Sequence, residues 1–193
     1  MHAGFADNTR VMNTDLHPSP GGLYRRHSGV VYSYLRCHVR LRVDAEDLTA
    51  EVFEAAIRGL STYVPSRGSE RVWLLGIAHH RLVRFHRKRA RSIRQGIEPD
   101  KLPSPLADPE EQVLLSERRT EILEAIGRLA SRDRQAITLR YIAELNIKEV
   151  ARVLAVSRTN AAVLLHRARK RLSRQLSKNY SLLEEVNESI DPA

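Results

Sequence analysis

Three histidines, His79, His80 and His86, fall within residues 77–97, "IAHHRLVRFHRKRARSIRQGI", a run rich in cations and free of acidic residues. Imidazoles invite a metal, but neighbours on a helix point about 100° apart, so His79 and His80 do not share one zinc. No thiol or carboxylate lies close in sequence to complete a site, and neither a metal nor any other cofactor is expected. Cys37 is the only cysteine, which excludes an internal disulfide and a cysteine-rich zinc module. It reads as a packed or bystander thiol. Enzymatic chemistry lacks its parts: the chain has no phosphate-cradling glycine loop, no clustered metal ligands and no plausible Ser/His/Asp grouping. No catalysis is expected, and the chemistry left to explain is that of positive charge beside an apolar helical stripe.

The 193 residues carry 32 Lys and Arg against 23 Asp and Glu, a formal charge of +9. Cations that displace the counterions around phosphates gain affinity, so this balance favours a polyanionic partner, nucleic acid first and an acidic membrane surface second. No stretch approaches the roughly 20 apolar residues that cross a bilayer. The start, "MHAGFADNTRVMNTDLHPSPGG", lacks the charged-then-apolar order of a signal peptide. A cytoplasmic protein with no membrane insertion is expected.

The elements that position these charges read as helices throughout. Residues 1–22 end in "HPSPGG" and are expected to be a tail. From residue 23 to residue 42, Val30, Val31, Tyr34, Leu35 and Val39 recur at helical spacing. Asp44 is the expected N-cap of a second helix, with Leu48, Val52, Phe53, Ala56, Ile57 and Leu60 as its apolar stripe and Glu46, Asp47, Glu51 and Glu54 on other faces. "STYVPSRGSE" interrupts, and a third helix spans residues 71–91. "GIEPDKLPSPLADPEE" carries four prolines, which suit a linker better than a helix interior. Beyond it, helices are expected over 113–129 and 132–144, followed by two short ones. The fold class is all-α: two small helical domains, 23–94 and 112–176, joined by a Pro-containing linker, 95–111. Residues 177–193 turn acidic and place Leu182, Leu183 and Val186 at helical spacing, either an extra helix or, by preference, a frayed end.

"LNIKEVARVLAVSRTNAAVLLHRARKRL" has the layout of a helix-turn-helix. Asn146 and Glu149 fit a capping box, "AVS" breaks the first short helix, and Ser157 caps the next. Ala161, Leu165, Ala168 and Leu172 give that helix one inner face. Its N-terminal residues would lead into a major groove, and Arg167, Arg169, Lys170, Arg171 and Arg174 suit phosphates. An ordinary helical hairpin with a solvated basic face is the plain alternative.

With both halves in view, the chain resembles the bacterial sigma factors of the extracytoplasmic-function class. "DAEDLTAEVFEAAIRGLSTYVP" followed by "WLLGIAHHRLVRFHRKRAR" is similar to that family's second conserved region, and the helix-turn-helix stretch to its fourth. The resemblance implies binding to core RNA polymerase and to promoter DNA, the first domain melting the minus-ten element and the second gripping the minus-thirty-five element. It also implies an anti-sigma factor as a partner. Asp44, Glu46, Asp47 and Glu51 are the residues it assigns to polymerase. Tyr63 and Arg67, in and beside the "VPSRGSE" loop, stand where the family captures a base; His80, Arg81, Arg84, Arg87 and Lys88 would line the DNA path. In the second domain Arg158, Thr159, Asn160, His166, Arg167 and Lys170 are the expected DNA contacts.

Departures from the pattern are informative. Many relatives carry a bulky aromatic where this chain has Glu70, and an acidic residue where it has Arg84. Ala155 replaces a turn glycine, at a cost of about 1 kcal/mol if the position demands positive φ. Ala162, Val163 and Leu164 stand where Lys, Ser and Arg are common, so bidentate reading of guanine at Leu164 is impossible; either apolar contact with thymine methyls or a shift of base reading to Arg158, Thr159 and Asn160 takes its place. A helix-turn-helix regulator that never meets polymerase is the main rival. It leaves the acidic helix and the separate basic domain unexplained.

Overall fold

The computed structural model describes residues 18–96 and 117–190. The expected linker lies almost wholly outside them, as does most of the N-terminal tail.

Helix α1 (Pro20–Arg36) begins three residues before the expected Leu23. Ser19 is extended, and its Oγ accepts from the Gly22 amide at 3.2 Å. Pro20 takes the first helical position, where its fixed φ fits and its missing N–H is not needed. The Pro/Gly cluster is thus a helix start and not the end of a tail. The helix stops at Arg36, short of residue 42, and the Arg36 guanidinium donates to the carbonyls of Val39 and Arg40 at 3.3 and 3.2 Å, closing the turn that follows.

Helix α2 (Arg42–Arg58) is entered from Leu41, which makes no side-chain cap. Asp44 is therefore not the N-cap. It sits in the first turn, where the helix dipole favours a carboxylate. Two single 3-10 turns, Leu60–Thr62 and Pro65–Arg67, lead to α3 (Glu70–Arg94). Ser69 caps α3 by accepting from the Val72 amide at 3.4 Å. Val72, Leu75, Ala78 and Leu82 step along its buried face, against Leu35 from α1 and Val52 and Ala56 from α2.

The second domain comprises α4 (Glu117–Gly127), α5 (Ser131–Ile137) running into a π-helical turn (Thr138–Ile142), α6 (Ile147–Val153) and α7 (Arg158–Ile190). The capping box of α6 is complete. Asn146 Oδ1 accepts from the amides of Lys148 and Glu149 at 3.0 and 3.1 Å, and Glu149 Oε2 accepts from the Asn146 amide at 2.8 Å. Ala155 has φ of 52°, so the turn does demand the left-handed region. Ser157 Oγ accepts from the Asn160 amide at 3.1 Å and opens α7. That helix is not short: it runs 33 residues, about 50 Å at 1.5 Å per residue, because neither Gly nor Pro interrupts it. The stretch read as a frayed end continues its backbone to Ile190.

The two domains are docked. α6 lies along α3 and the π turn abuts α1. Leu75 and Leu82 belong to the same apolar core as Leu139, Leu145, Val150 and Val153. Arg71 Nη1 lies 3.5 Å from Glu144 Oε2 across the seam. A smaller core inside the second domain gathers Ile126, Leu129, Ile137 and Ala168.

Candidate nucleic-acid interface

The loop between α2 and α3 is shaped by one glycine and one aromatic. Gly68 has φ of 149° and ψ of 163°, a conformation open essentially to glycine alone. Tyr63 turns its hydroxyl back to donate to the Gly68 carbonyl at 3.3 Å, and its ring lies 5.1 Å from that of Trp73. The Tyr63 side chain is consequently buried in the wall and does not project from the loop. Burial, with Glu70 nearby, raises its pKa. Trp73 is half-buried and packs against the core. Together with Arg67, Ile77 and His80 these two rings line a cleft of about 350 Å³. Its far wall comes from the second domain, as Arg152 and Val153.

Glu70, where an aromatic residue is common, ties α3 to α1. Arg26 donates to it through Nε and Nη2 at 2.8 to 3.2 Å, and His27 Nε2 lies 2.9 Å from Oε2. Burial pushes the Glu70 carboxyl up, but the Arg26 and His27 contacts outweigh it and leave the pKa below the usual value. The loop is anchored at this end by an ion pair in place of a ring.

From the cleft, a basic face continues along α3. His80, Arg84, Arg87 and Lys88 follow one another at spacings of four, three and one, and all are exposed. Arg81 is less available, since its Nη1 lies 3.4 Å from Glu51 Oε2. The acidic candidates of α2 divide accordingly. Glu51 and Asp44 lean toward α3, Asp44 Oδ2 standing 4.0 Å from Arg89 Nη1. Glu46 accepts from Arg42 at 2.8 Å on the outer surface, and Asp47 is exposed.

On α7 the exposed row is Thr159, Val163, His166 and Lys170, flanked by Asn160 and Arg167, with Arg158 at the helix start. Leu164 is half-buried against the core, so it is Val163, 48% exposed, that looks outward. Arg171 is not available for phosphates in the way its neighbours are, because it binds the buried carboxylate of Asp133. Arg152, a wall of the cleft from the other domain, escaped sequence reasoning altogether; no local pattern marks a contact made across 84 residues of chain from Gly68. Among the described residues no cluster of three or more His, Cys, Asp or Glu is placed to hold a metal. No helix there is long and apolar enough to cross a membrane.

Residues 23–92 match the family model of sigma-70 region 2, and residues 119–172 that of sigma-70 region 4. The chain belongs to the extracytoplasmic-function sigma factors. It is 32% identical over 158 residues to the ECF RNA polymerase sigma factor BldN of Streptomyces coelicolor, a match covering 81% of this chain but 60% of that longer protein. It is 28% identical over 159 residues to the RNA polymerase sigma factor YlaC of Bacillus subtilis, covering 81% of this chain and 91% of that one. Among solved structures, the sigma factor RpoE of Bartonella quintana, in complex with the anti-sigma factor NepR, shares the fold with a TM-score of 0.70 at 17% identity, over 80% of this chain and 94% of that one. CnrH, in complex with the cytosolic domain of CnrY, gives a TM-score of 0.63 at 22% identity, over 82% of this chain and 88% of that one. The all-α expectation is met: the described residues of this sigma factor form helices and turns with no strand.

Proposed function

We propose that this sigma factor joins core RNA polymerase and brings it to promoters, with α3 and its preceding loop acting on the minus-ten element and α7 on the minus-thirty-five element. The observation that carries the reading is the pairing of two sigma-70 regions in one chain, each presenting its own exposed basic row. Arg67 and His80 line a cleft with the aromatic wall that a displaced base would need, since stacking on a ring is worth about 1–3 kcal/mol per base. Tyr63 serves that wall as its support. Arg84, Arg87 and Lys88 track phosphates, and Arg81 joins them once it leaves Glu51.

On α7, Thr159, Asn160 and Val163 read base edges, Val163 by contact with a thymine methyl. Arg158, His166, Arg167 and Lys170 hold the backbone. Glu46 and Asp47 supply the exposed negative charge for polymerase, while Asp44 and Glu51 become available to it only by leaving Arg89 and Arg81. The chain works in the cytoplasm and catalyses nothing itself; an anti-sigma factor restrains it. Run-off transcription with core polymerase and a promoter library tests the reading. Sequence-selective initiation together with a stoichiometric complex is the expected result. A chain that binds promoter fragments yet never associates with polymerase would overturn it in favour of a free helix-turn-helix regulator, the reading not favoured by the region 2 match.

A further inference from the structure

The seam between the domains is built around a buried histidine. His38, two residues beyond the end of α1, is 4% exposed. Its Nδ1 lies 2.7 Å from the Tyr34 carbonyl. A carbonyl only accepts, so Nδ1 carries a proton, and in the neutral ring Nε2 is bare. That nitrogen faces Thr138 Oγ1, of the second domain, at 3.5 Å. The Thr138 hydroxyl is drawn to the Arg134 carbonyl at 2.8 Å, in its own helix. The contact that joins the domains at this point therefore has room for a further proton on Nε2 but no place for the charge it brings.

The groups that act on His38 come from three elements. From α1 there is the Tyr34 carbonyl, with the Tyr34 ring 4.7 Å away. α3 contributes His79 and His86, and α5 contributes Arg134 beside Thr138. Every side-chain charge acting on it is thus cationic or able to become so, and no carboxylate among the described residues compensates. His79 Nδ1 lies 3.3 Å from the Tyr34 hydroxyl and neighbours His80. His86 is flanked by Arg134 and Arg89, with the His38 carbonyl facing it.

We infer that His38 is a proton-operated latch between the two domains: while its ring is neutral the second domain stays seated on α1 and α3, and protonation drives the domains apart. Undocking would withdraw Arg152 and Val153 from the cleft lined by Tyr63, Trp73 and His80, opening the site that docking walls off.

The direction of the pH dependence follows from the surroundings. Burial first, then Arg134, His86 and His79, holds the docked His38 pKa down at about 3, against an upward pull from the Tyr34 carbonyl. Undocking removes Arg134 and Thr138 and admits water, returning the ring toward its ordinary value of about 6.5. Docking is thus fully supported above about pH 6.5 and weakens by up to about tenfold for each pH unit below it.

The test uses the full chain without DNA or polymerase, so its outcome is independent of the promoter reading. The single tryptophan, Trp73, reports on the cleft. Its emission, the small-angle scattering radius and the far-ultraviolet circular dichroism are followed from about pH 8 to about pH 5, above the range in which ordinary carboxylates titrate. Expected are a rise in radius and a red shift of Trp73 below about pH 6 with helix content retained, and a flat response from His38→Gln, which keeps a donor for Tyr34 but cannot gain a proton. A wild-type radius unchanged over the whole range overturns the inference. So does opening of His38→Gln at the wild-type pH, or loss of helix in step with the change in radius. Should the variant not fold, the His38 ring proton resonance of the wild type decides: a shift with the midpoint of the radius change supports the latch, and a shift away from it overturns it.

Discussion

Replacing Gly68 by alanine separates two costs that coincide at one atom. A Cβ at this position would lie 2.6 Å from Arg152 Nη1, and 3.6 and 3.7 Å from the Val72 side chain. The Val72 distances are ordinary contacts. The Arg152 approach is far too close, but a guanidinium at the end of several rotatable bonds swings aside among its rotamers at little cost. The backbone cannot do likewise: at φ of 149° and ψ of 163° an L residue carries about 1–3 kcal/mol of strain. Backbone strain therefore dominates. Gly68→Ala is expected to lose about 1–3 kcal/mol in urea unfolding followed by Trp73 fluorescence. Gly68→Ala combined with Arg152→Ala is expected to recover less than about 0.5 kcal/mol of it, the ordinary limit of additivity for uncoupled changes. Full recovery in the double variant would show that the side-chain contact governed the cost and would refute the reasoning.

Ala155→Gly relieves the left-handed residue of the helix-turn-helix and, after the extra freedom it gives the unfolded chain, should raise stability by up to about 1 kcal/mol, read from the thermal midpoint. Asn146→Ala removes the acceptor for two amides and should cost about 1 kcal/mol in the same assay. Arg87→Ala with Lys88→Ala should weaken promoter binding evenly across sequences and lower the salt dependence by about two phosphate contacts. Replacing thymine by uracil in the upstream element should cost the wild type about 1 kcal/mol at one base pair, the loss of one buried methyl, and cost Val163→Ala almost nothing; equal losses in both would remove Val163 from base reading.

The helix-turn-helix was legible because its signals are local. Asn146 and Glu149 are three residues apart, Ser157 and Asn160 likewise, and each pair makes its hydrogen bond within one helical turn. Helix ends were less legible where one residue has two meanings. Pro20 after Ser19 opens a helix, though a Pro/Gly cluster also marks a loop. Asp44 suits an N-cap and a first turn equally, and its place is set by packing of α2. Contacts across the chain were not legible at all. Arg26 and His27 meet Glu70 over more than 40 residues, and Thr138 meets His38 over 100. The same holds for Leu164 and Val163, whose inward and outward directions depend on the phase that the buried Ala161, Leu165 and Ala168 impose on α7.

A seam that continues the interior sets terms for whatever disturbs it. Leu139, Leu145, Val150 and Val153 have no solvent-facing alternative in the described structure. Once the halves part, Val153, which walls the cleft, and any other of these side chains that rested on the first domain meet water unless something else lies over them, and each fully exposed aliphatic side chain is unfavourable by about 1.5–3 kcal/mol. A macromolecule that wedges the halves open and also shields the bared residues therefore gains from both acts at once, whereas a proton opens the seam and covers nothing. Company that lies over the bared side chains thus holds the chain ajar more firmly than acid alone.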